Sequence, residues 1–179
     1  MPAEIQPSMN SREVKNADYP AFYTQYIRSL GEVDLIEILN SSLDDLIATV
    51  KDLSPEKLAY QYAPGKWTIK ELLQHIIDTE RIMSYRALRF SRKDPIDVAG
   101  YNENWYTEHS NGKDRDLTSL LDEFTHLRKS IIAMFSGFNP EMMLRFGSID
   151  GEKIMVGSLA FIIAGHQVHH LKIIKERYL

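Results

Sequence analysis

Cysteine is absent from all 179 residues. With it go disulfides, thiolate metal ligands and cysteine nucleophiles, so any metal must be held by nitrogen and oxygen. Basic clusters are missing as well. Lys and Arg number 21 against 25 Asp and Glu, the net charge is −4, and no block of Lys or Arg stands out. A nucleic-acid surface needs a clustered basic footprint to neutralise phosphates, so that partner is excluded. No apolar run reaches the length of a membrane span, and Met1 to Asn10 holds no apolar leader segment. A cytoplasmic protein with no membrane partner is the expectation. Repeats and low-complexity tracts are lacking too, and the length suits one domain with an ample core.

What is present is helical periodicity. Residues 1–19 are polar and contain two prolines before the last few positions, which predicts an extended or mobile lead-in to a domain over 20–179. Pro20 to Leu30 carries Phe22, Tyr23, Tyr26 and Ile27, a short helix or turn expected to pack as a satellite. Ile36, Leu39, Leu43, Leu46, Ile47, Val50 and Leu53 follow the spacing of a core-facing helix. Ser54-Pro55 reads as a cap with proline at the first helical position. Thr68-Ile69-Lys70-Glu71 is a capping box. It opens a second long helix, predicted from Ile69 to about Arg92 and stopped before Pro95.

Lys93 to Arg115 is a long connection rich in Asp, Asn, Gly and aromatic residues. Such a length without helix or strand signal is uncommon unless it covers something or crosses over a bundle. As a crossover it lets the second and third long helices run parallel. As a cover it offers Tyr101, Trp105 and Tyr106 to roof a site, with Glu103 pointing inward. The third helix is predicted from Leu117 to Gly137 on its Leu117, Leu120, Phe124, Ile131 and Met134 face, with His126 exposed and His109 in the loop. Between Leu144 and Val156, Asp150-Gly151 is a hairpin-turn dipeptide flanked by short alternating segments. The expected fold is all-α: a four-helix bundle with a long crossover between helices 2 and 3 and a short β-ribbon before helix 4.

The fourth helix, Val156 to Tyr178, is read as amphipathic, and it holds the residues that carry chemistry. At about 100° per residue, Leu159, His166, His170 and Ile173 fall in a narrow sector of one face. Two histidines four residues apart thus occupy an apolar stripe where a bundle normally places leucine. A buried imidazole without a partner costs roughly 1–3 kcal/mol, so the pair needs a shared reason. Both rings can reach one cation from positions i and i+4; two hydrogen-bonded core histidines are the alternative. His169 lies about 60° off that line. On the second helix, His75 sits roughly 100° from the centre of the apolar face, a boundary position suited to a cavity wall. Asp78, one turn on, is placed to orient the His75 ring or to remain solvated.

Tyr62-Ala63-Pro64-Gly65-Lys66-Trp67-Thr68, then Glu71, His75, Asp78-Thr79-Glu80-Arg81 and Tyr85-Arg86-Ala87-Leu88-Arg89, resemble the DinB/YfiT-like superfamily. So do Gly100-Tyr101-Asn102 and the tail from Ala164-Gly165-His166-Gln167-Val168-His169-His170-Leu171 to Glu176-Arg177-Tyr178-Leu179. The match covers nearly the whole chain beyond the lead-in. The resemblance implies a four-helix bundle with a divalent metal on three histidines, which map by position to His75, His166 and His170. Three imidazoles leave coordination positions open, as in catalytic rather than structural sites. The implied function is a metal-dependent enzyme that transfers a low-molecular-weight thiol, as cosubstrate, to a small electrophile. A metal-dependent hydrolase is the alternative, and a non-catalytic metal-binding bundle is another. N-only ligation leaves Zn, Ni, Fe and Mn all open. Glu103, Asp78 and His169 are the candidates for moving protons. The expected partners are a small-molecule substrate and, as a homodimer, a second copy of the chain.

Overall fold

The structure is a computed structural model that describes residues 8–179. The first part of the lead-in, residues 1–7, lies outside the described residues. Four long helices make the bundle: α2 (Leu35–Val50), α4 (Ile69–Ser91), α6 (Leu117–Ser136) and α8 (Val156–Ile173). Between and before them lie short pieces: α1 (Thr24–Ser29), α3 (Pro55–Leu58), α5 (Glu103–Glu108) and α7 (Pro140–Met143). The caps are those the sequence offers. Thr68 and Glu71 close a reciprocal capping box on α4, Ser54 caps α3, and Asp34 accepts from Ile36 and Glu37 at the start of α2.

Cross-helix contacts fix the directions. Arg115 reaches Gln74, and Arg81 reaches Glu123, so α4 and α6 run parallel, joined by the long crossover. Gln167 of α8 bonds the carbonyl of Ser42 in α2, and Lys57 just beyond α2 bonds the carbonyl of Tyr178 just beyond α8, so those two also run parallel. The two parallel pairs are antiparallel to each other, and the three-histidine contacts between α4 and α8 obey that arrangement. The ribbon before α8 is a two-stranded antiparallel hairpin, β1 (Phe146–Ile149) and β2 (Glu152–Met155), in register Phe146 with Met155. Asp150 and Gly151 both take positive φ, 48° and 79°, as a type I′ turn requires.

Four expectations are corrected. From Ser8 to Tyr19 the lead-in is packed, not extended: Asn10 bridges Asp34, Ser11 exchanges bonds with Val33 and Gly31, and Tyr19 is buried. Its short 3₁₀ turns are too brief to leave a periodic signal. The segment before α2 is no satellite either, since α1 lies on α8 with the Tyr26 carbonyl against Gly165. The crossover contains α5, capped by Asn102 accepting from Trp105 N–H, a helix shorter than two turns. Finally, α8 is not amphipathic. Every residue from Val156 to Gln167 is buried, because α1 and the lead-in cover the face a surface helix would show to water.

The core has a layered composition. One apolar cluster joins Leu35 and Leu39 to Met83, Phe90, Ile131 and residues 159–164. A second joins Leu43, Leu46, Ile76, Leu120 and Phe124 to Leu171 and Ile174. Between them lies a waist of buried polar side chains: Ser42, His75, Glu80, Arg128, His166, Gln167 and His170. Chemistry in this bundle is concentrated at mid-height.

Candidate metal centre

Each histidine is delivered by a long helix. His75 projects from the second turn of α4, and His166 and His170 stand one turn apart on α8. Nε2 of His166 lies 3.0 Å from Nε2 of His75 and 3.0 Å from Nε2 of His170. One ligating nitrogen from each ring lies within 4.8 Å of the others, and no other group of three His, Asp or Glu converges this way among the described residues. All three rings are buried, at 6%, 7% and 9% exposure. His75 is therefore not at a boundary. Its ring is covered by the indole of Trp67, with centroids 4.7 Å apart, and that cover comes from the loop that leads into α4, which helical angle alone does not register.

Burial keeps these rings neutral. His75 is pushed down to about 4 by desolvation. His166 and His170 fall well below the usual histidine value through burial first and neighbouring imidazoles second. Neutral rings cannot satisfy the geometry by themselves. An imidazole nitrogen is either a donor with one proton or an acceptor with one in-plane lone pair. His166 Nε2 has two nitrogen neighbours at bonding distance, so one proton or one lone pair serves only one of them. A single cation accepts all three lone pairs at once, and the donor set, all nitrogen, suits a divalent transition metal. With Nε2 facing the centre, Nδ1 carries the proton in each ring. Among the described residues, Nδ1 of His166 and of His170 has no protein acceptor, so these ligands lack the usual supporting hydrogen bond there.

Aromatic rings wall the site. Tyr26 of α1 sets its ring against both His166 and His169, at 5.5 Å and 5.4 Å between centroids. The Tyr178 hydroxyl, in a π-type turn after α8, bonds the Trp67 carbonyl at 2.6 Å. One turn along α4 from His75, Thr79 shares a 2.5 Å hydrogen bond with the Tyr101 hydroxyl. Tyr101 thus covers this side of α4, while Trp105 is exposed and stacks on His109.

The three candidates for moving protons have different fates. His169 is half-buried beside His170, with centroids 5.2 Å apart. Asp78 is not turned to His75: its carboxylate accepts from Gln74 Nε2 at 2.9 Å, on the side of α4 that carries Arg115 and Glu123. Glu103 is exposed at the start of α5 and lines an open groove of about 460 Å³ with Gly100, Tyr101, Asn102, Asn104 and Asp150. Its charge helps raise the phenols of Tyr23, Tyr26 and Tyr101, so it faces the aromatic wall without bonding the histidines.

Sequence reading missed the buried ion pair next to the site. Arg128 of α6 pairs with Glu80 of α4, donates to the Leu39 carbonyl at 2.6 Å and to Ser42 at 3.0 Å, and lies 3.4 Å from Gln167. The signal was there: Glu80 and Arg128 each interrupt an otherwise apolar stripe, Ile76-to-Met83 and Phe124-to-Ile131.

Known proteins carry related sequences. A protein of Oceanobacillus iheyensis named "Putative metal-dependent hydrolase OB0782" is 26% identical over 87% of this chain and 92% of its own length. A Bacillus cereus protein bearing the same hydrolase name is 23% identical over 85% of this chain and 90% of its own. Among solved structures, YfiT from Bacillus subtilis, described as a probable metal-dependent hydrolase with an unusual four-helix bundle topology, superposes with a TM-score of 0.74. It is 19% identical and covers 79% of this chain and 82% of that one, a likeness of fold. From within α2 to just past the end of α8, residues 38–174 match the sequence profile of the DinB superfamily, and the chain belongs to that superfamily.

Proposed function

We propose that this chain is a metal-dependent enzyme in which His75, His166 and His170 hold one divalent cation. The observation that carries the reading is the convergence of three buried, neutral imidazoles on contacts that protons cannot satisfy together. The hydrolase names of relatives that align over most of their length support hydrolysis as the reaction class. A divalent cation in such a site supplies Lewis acidity and lowers the pKa of a coordinated water or thiol, so that a nucleophile exists at neutral pH. The chain's own residues do the rest. Trp67 and Tyr26 exclude water from the flanks of the rings. Tyr101, whose phenol burial pushes up to about 12, keeps its proton and can donate it as a hydrogen bond near Thr79. Glu103, whose carboxylate has no hydrogen bond or ion pair among the described residues, is the proposed proton acceptor at the groove.

A second reading, transfer of a low-molecular-weight thiol to an electrophile, is supported by the donor set. The chain holds no cysteine, so an incoming thiolate meets no competing protein sulfur. The test begins with metal analysis: one ion per chain is expected in wild type and none in His166→Ala. An ion retained by the triple variant His75→Ala, His166→Ala, His170→Ala would refute the site. Cobalt-substituted protein then separates the chemistries. A sulfur-to-metal charge-transfer band on adding bacillithiol, glutathione or coenzyme A, with turnover of an electrophile, supports thiol transfer. Ester or amide hydrolysis without thiol supports the hydrolase. Neither, in fully loaded protein, identifies a non-catalytic bundle.

A further inference from the structure

Two arginines are buried in the bundle, and they are treated differently. Arg128 is saturated by a carboxylate, a carbonyl and a hydroxyl. Arg86 of α4 is 4% exposed, yet among the described residues its guanidinium has only the Ala99 carbonyl at 2.7 Å and the Met83 sulfur at 3.5 Å. Arg12, Arg81, Arg89, Arg115, Arg128 and Arg145 each pair with a carboxylate; among the described residues Arg86 has none. A guanidinium offers five N–H donors, and an unpaired buried charge is costly enough to need a counterpart. The spare donors are not sealed in. Buried nitrogens without a partner are confined, among the described residues, to Arg145 Nε and to Nδ1 of His166 and His170.

Position adds meaning to this deficit. His75, Thr79 and Arg86 fall within roughly 40° on one face of α4. The contact with Met83, three residues back, shows that the guanidinium lies toward the Thr79 turn and so toward the histidines. Tyr101 joins the two ends of this stripe, its hydroxyl on Thr79 and its ring 5.9 Å from the guanidinium. Tyr101 also lines the open 460 Å³ groove, so one residue borders both the groove and the guanidinium. The other charged groups on this side are the carboxylates of Glu103 and Asp150, which rim the groove; Asp150 is held by Gly100 N–H at 3.0 Å.

We infer that Arg86 is the receptor for a carboxylate on the substrate, whose reacting group is presented at His75, His166 and His170. The planar fork of arginine matches a carboxylate bidentately. The two acidic groups at the rim repel a dianion more than a single carboxylate, which favours carboxylate over phosphate. Tyr23 and Tyr101, both raised by burial, stay protonated and so add no negative charge against the anion. This deepens the enzyme reading above and rests on it for the reacting end, but anion binding at Arg86 does not require the metal.

The test uses full-length protein, stripped of metal and dialysed free of chelator, so that no anion can bind through the cation. Sodium succinate, sodium acetate and inorganic phosphate are titrated separately at constant ionic strength, with sodium chloride as the blank. One arginine Nε–H resonance should shift saturably with succinate or acetate in wild type, and the thermal midpoint should rise. In Arg86→Gln the apparent affinity should weaken about ten- to a hundredfold, the value of a charged hydrogen-bonded contact. Arg86→Lys, which keeps charge but not the fork, should fall between and assigns the resonance if the glutamine variant does not fold. No saturable arginine shift in folded wild type, or binding undiminished in Arg86→Gln, overturns the inference. Binding of phosphate alone overturns the carboxylate assignment. Failure of the metal reading would register separately, as absent metal in the metal analysis.

Discussion

His75 keeps its neutral form down to about 4, against 6.5 for the ordinary side chain, because burial disfavours the imidazolium. Once unfolded, the same ring takes up a proton as pH falls through 6.5. Between those values the unfolded chain binds a proton that the folded chain refuses, so stability falls as pH falls. The contribution of His75 alone is roughly 3 kcal/mol, fully present above 6.5 and lost by about 4. His166 and His170 shift in the same direction. Metal-free protein should therefore lose stability over this window in urea titrations, and His166→Leu should flatten the slope. Stability constant from pH 6.5 to 4 would contradict buried, neutral rings. At the same scale, Glu103→Gln should reduce kcat by about a hundred- to ten-thousandfold if Glu103 accepts the proton. It should also remove the acid limb of the pH–rate profile while leaving the metal content at one per chain.

Between helices, two contacts hold the site together. A Cβ on Gly165 would sit 2.2 Å from the Tyr26 carbonyl oxygen, and that atom is backbone, so α1 itself would have to move. Helix propensity alone favours Gly165→Ala by about 1 kcal/mol. The clash should reverse the sign and cost about 1–3 kcal/mol in denaturant midpoint. It should also draw Tyr26 off His166, visible as a change in the histidine ring resonances. The Arg128–Glu80 pair ties α6 to α4, and Arg128 extends the tie to α2 through Leu39 and Ser42. Glu80→Ala strands a fully buried guanidinium and should cost about 3–5 kcal/mol. The double variant Glu80→Leu, Arg128→Met should recover much of that loss. If the single and double variants are equally unstable, the pair acts through packing and not charge.

Across the whole molecule, two apolar clusters flank a polar waist. The waist is where four helices must agree, and a cation there would stabilise the native state and not the unfolded one. At a free metal concentration a hundred times its dissociation constant the gain is about 2.7 kcal/mol. In a chain of 179 residues that corresponds to a rise of roughly 5–10 °C in unfolding midpoint. Calorimetry with and without zinc should show it in wild type and not in His170→Ala. Equal midpoints for loaded and stripped wild type would place the cation outside the folded waist.

Much of this was legible along the chain because it is local. Capping at Thr68 and Glu71, the I′ turn at Asp150-Gly151 and the i, i+4 spacing of His166 and His170 each depend on residues within one or two turns of each other. Periodicity likewise marks the four long helices, since a stripe of leucines is written at a spacing of three and four. The tertiary structure alone decided what depends on partners distant in sequence. It brought His75 against His166 and His170, set α1 on Gly165, and gave Arg128 the carboxylate that Arg86 lacks. Helical position says which face a side chain occupies. Whether that face meets water, an aromatic ring or an opposite charge is decided by the element packed on it, and that element comes from elsewhere in the chain.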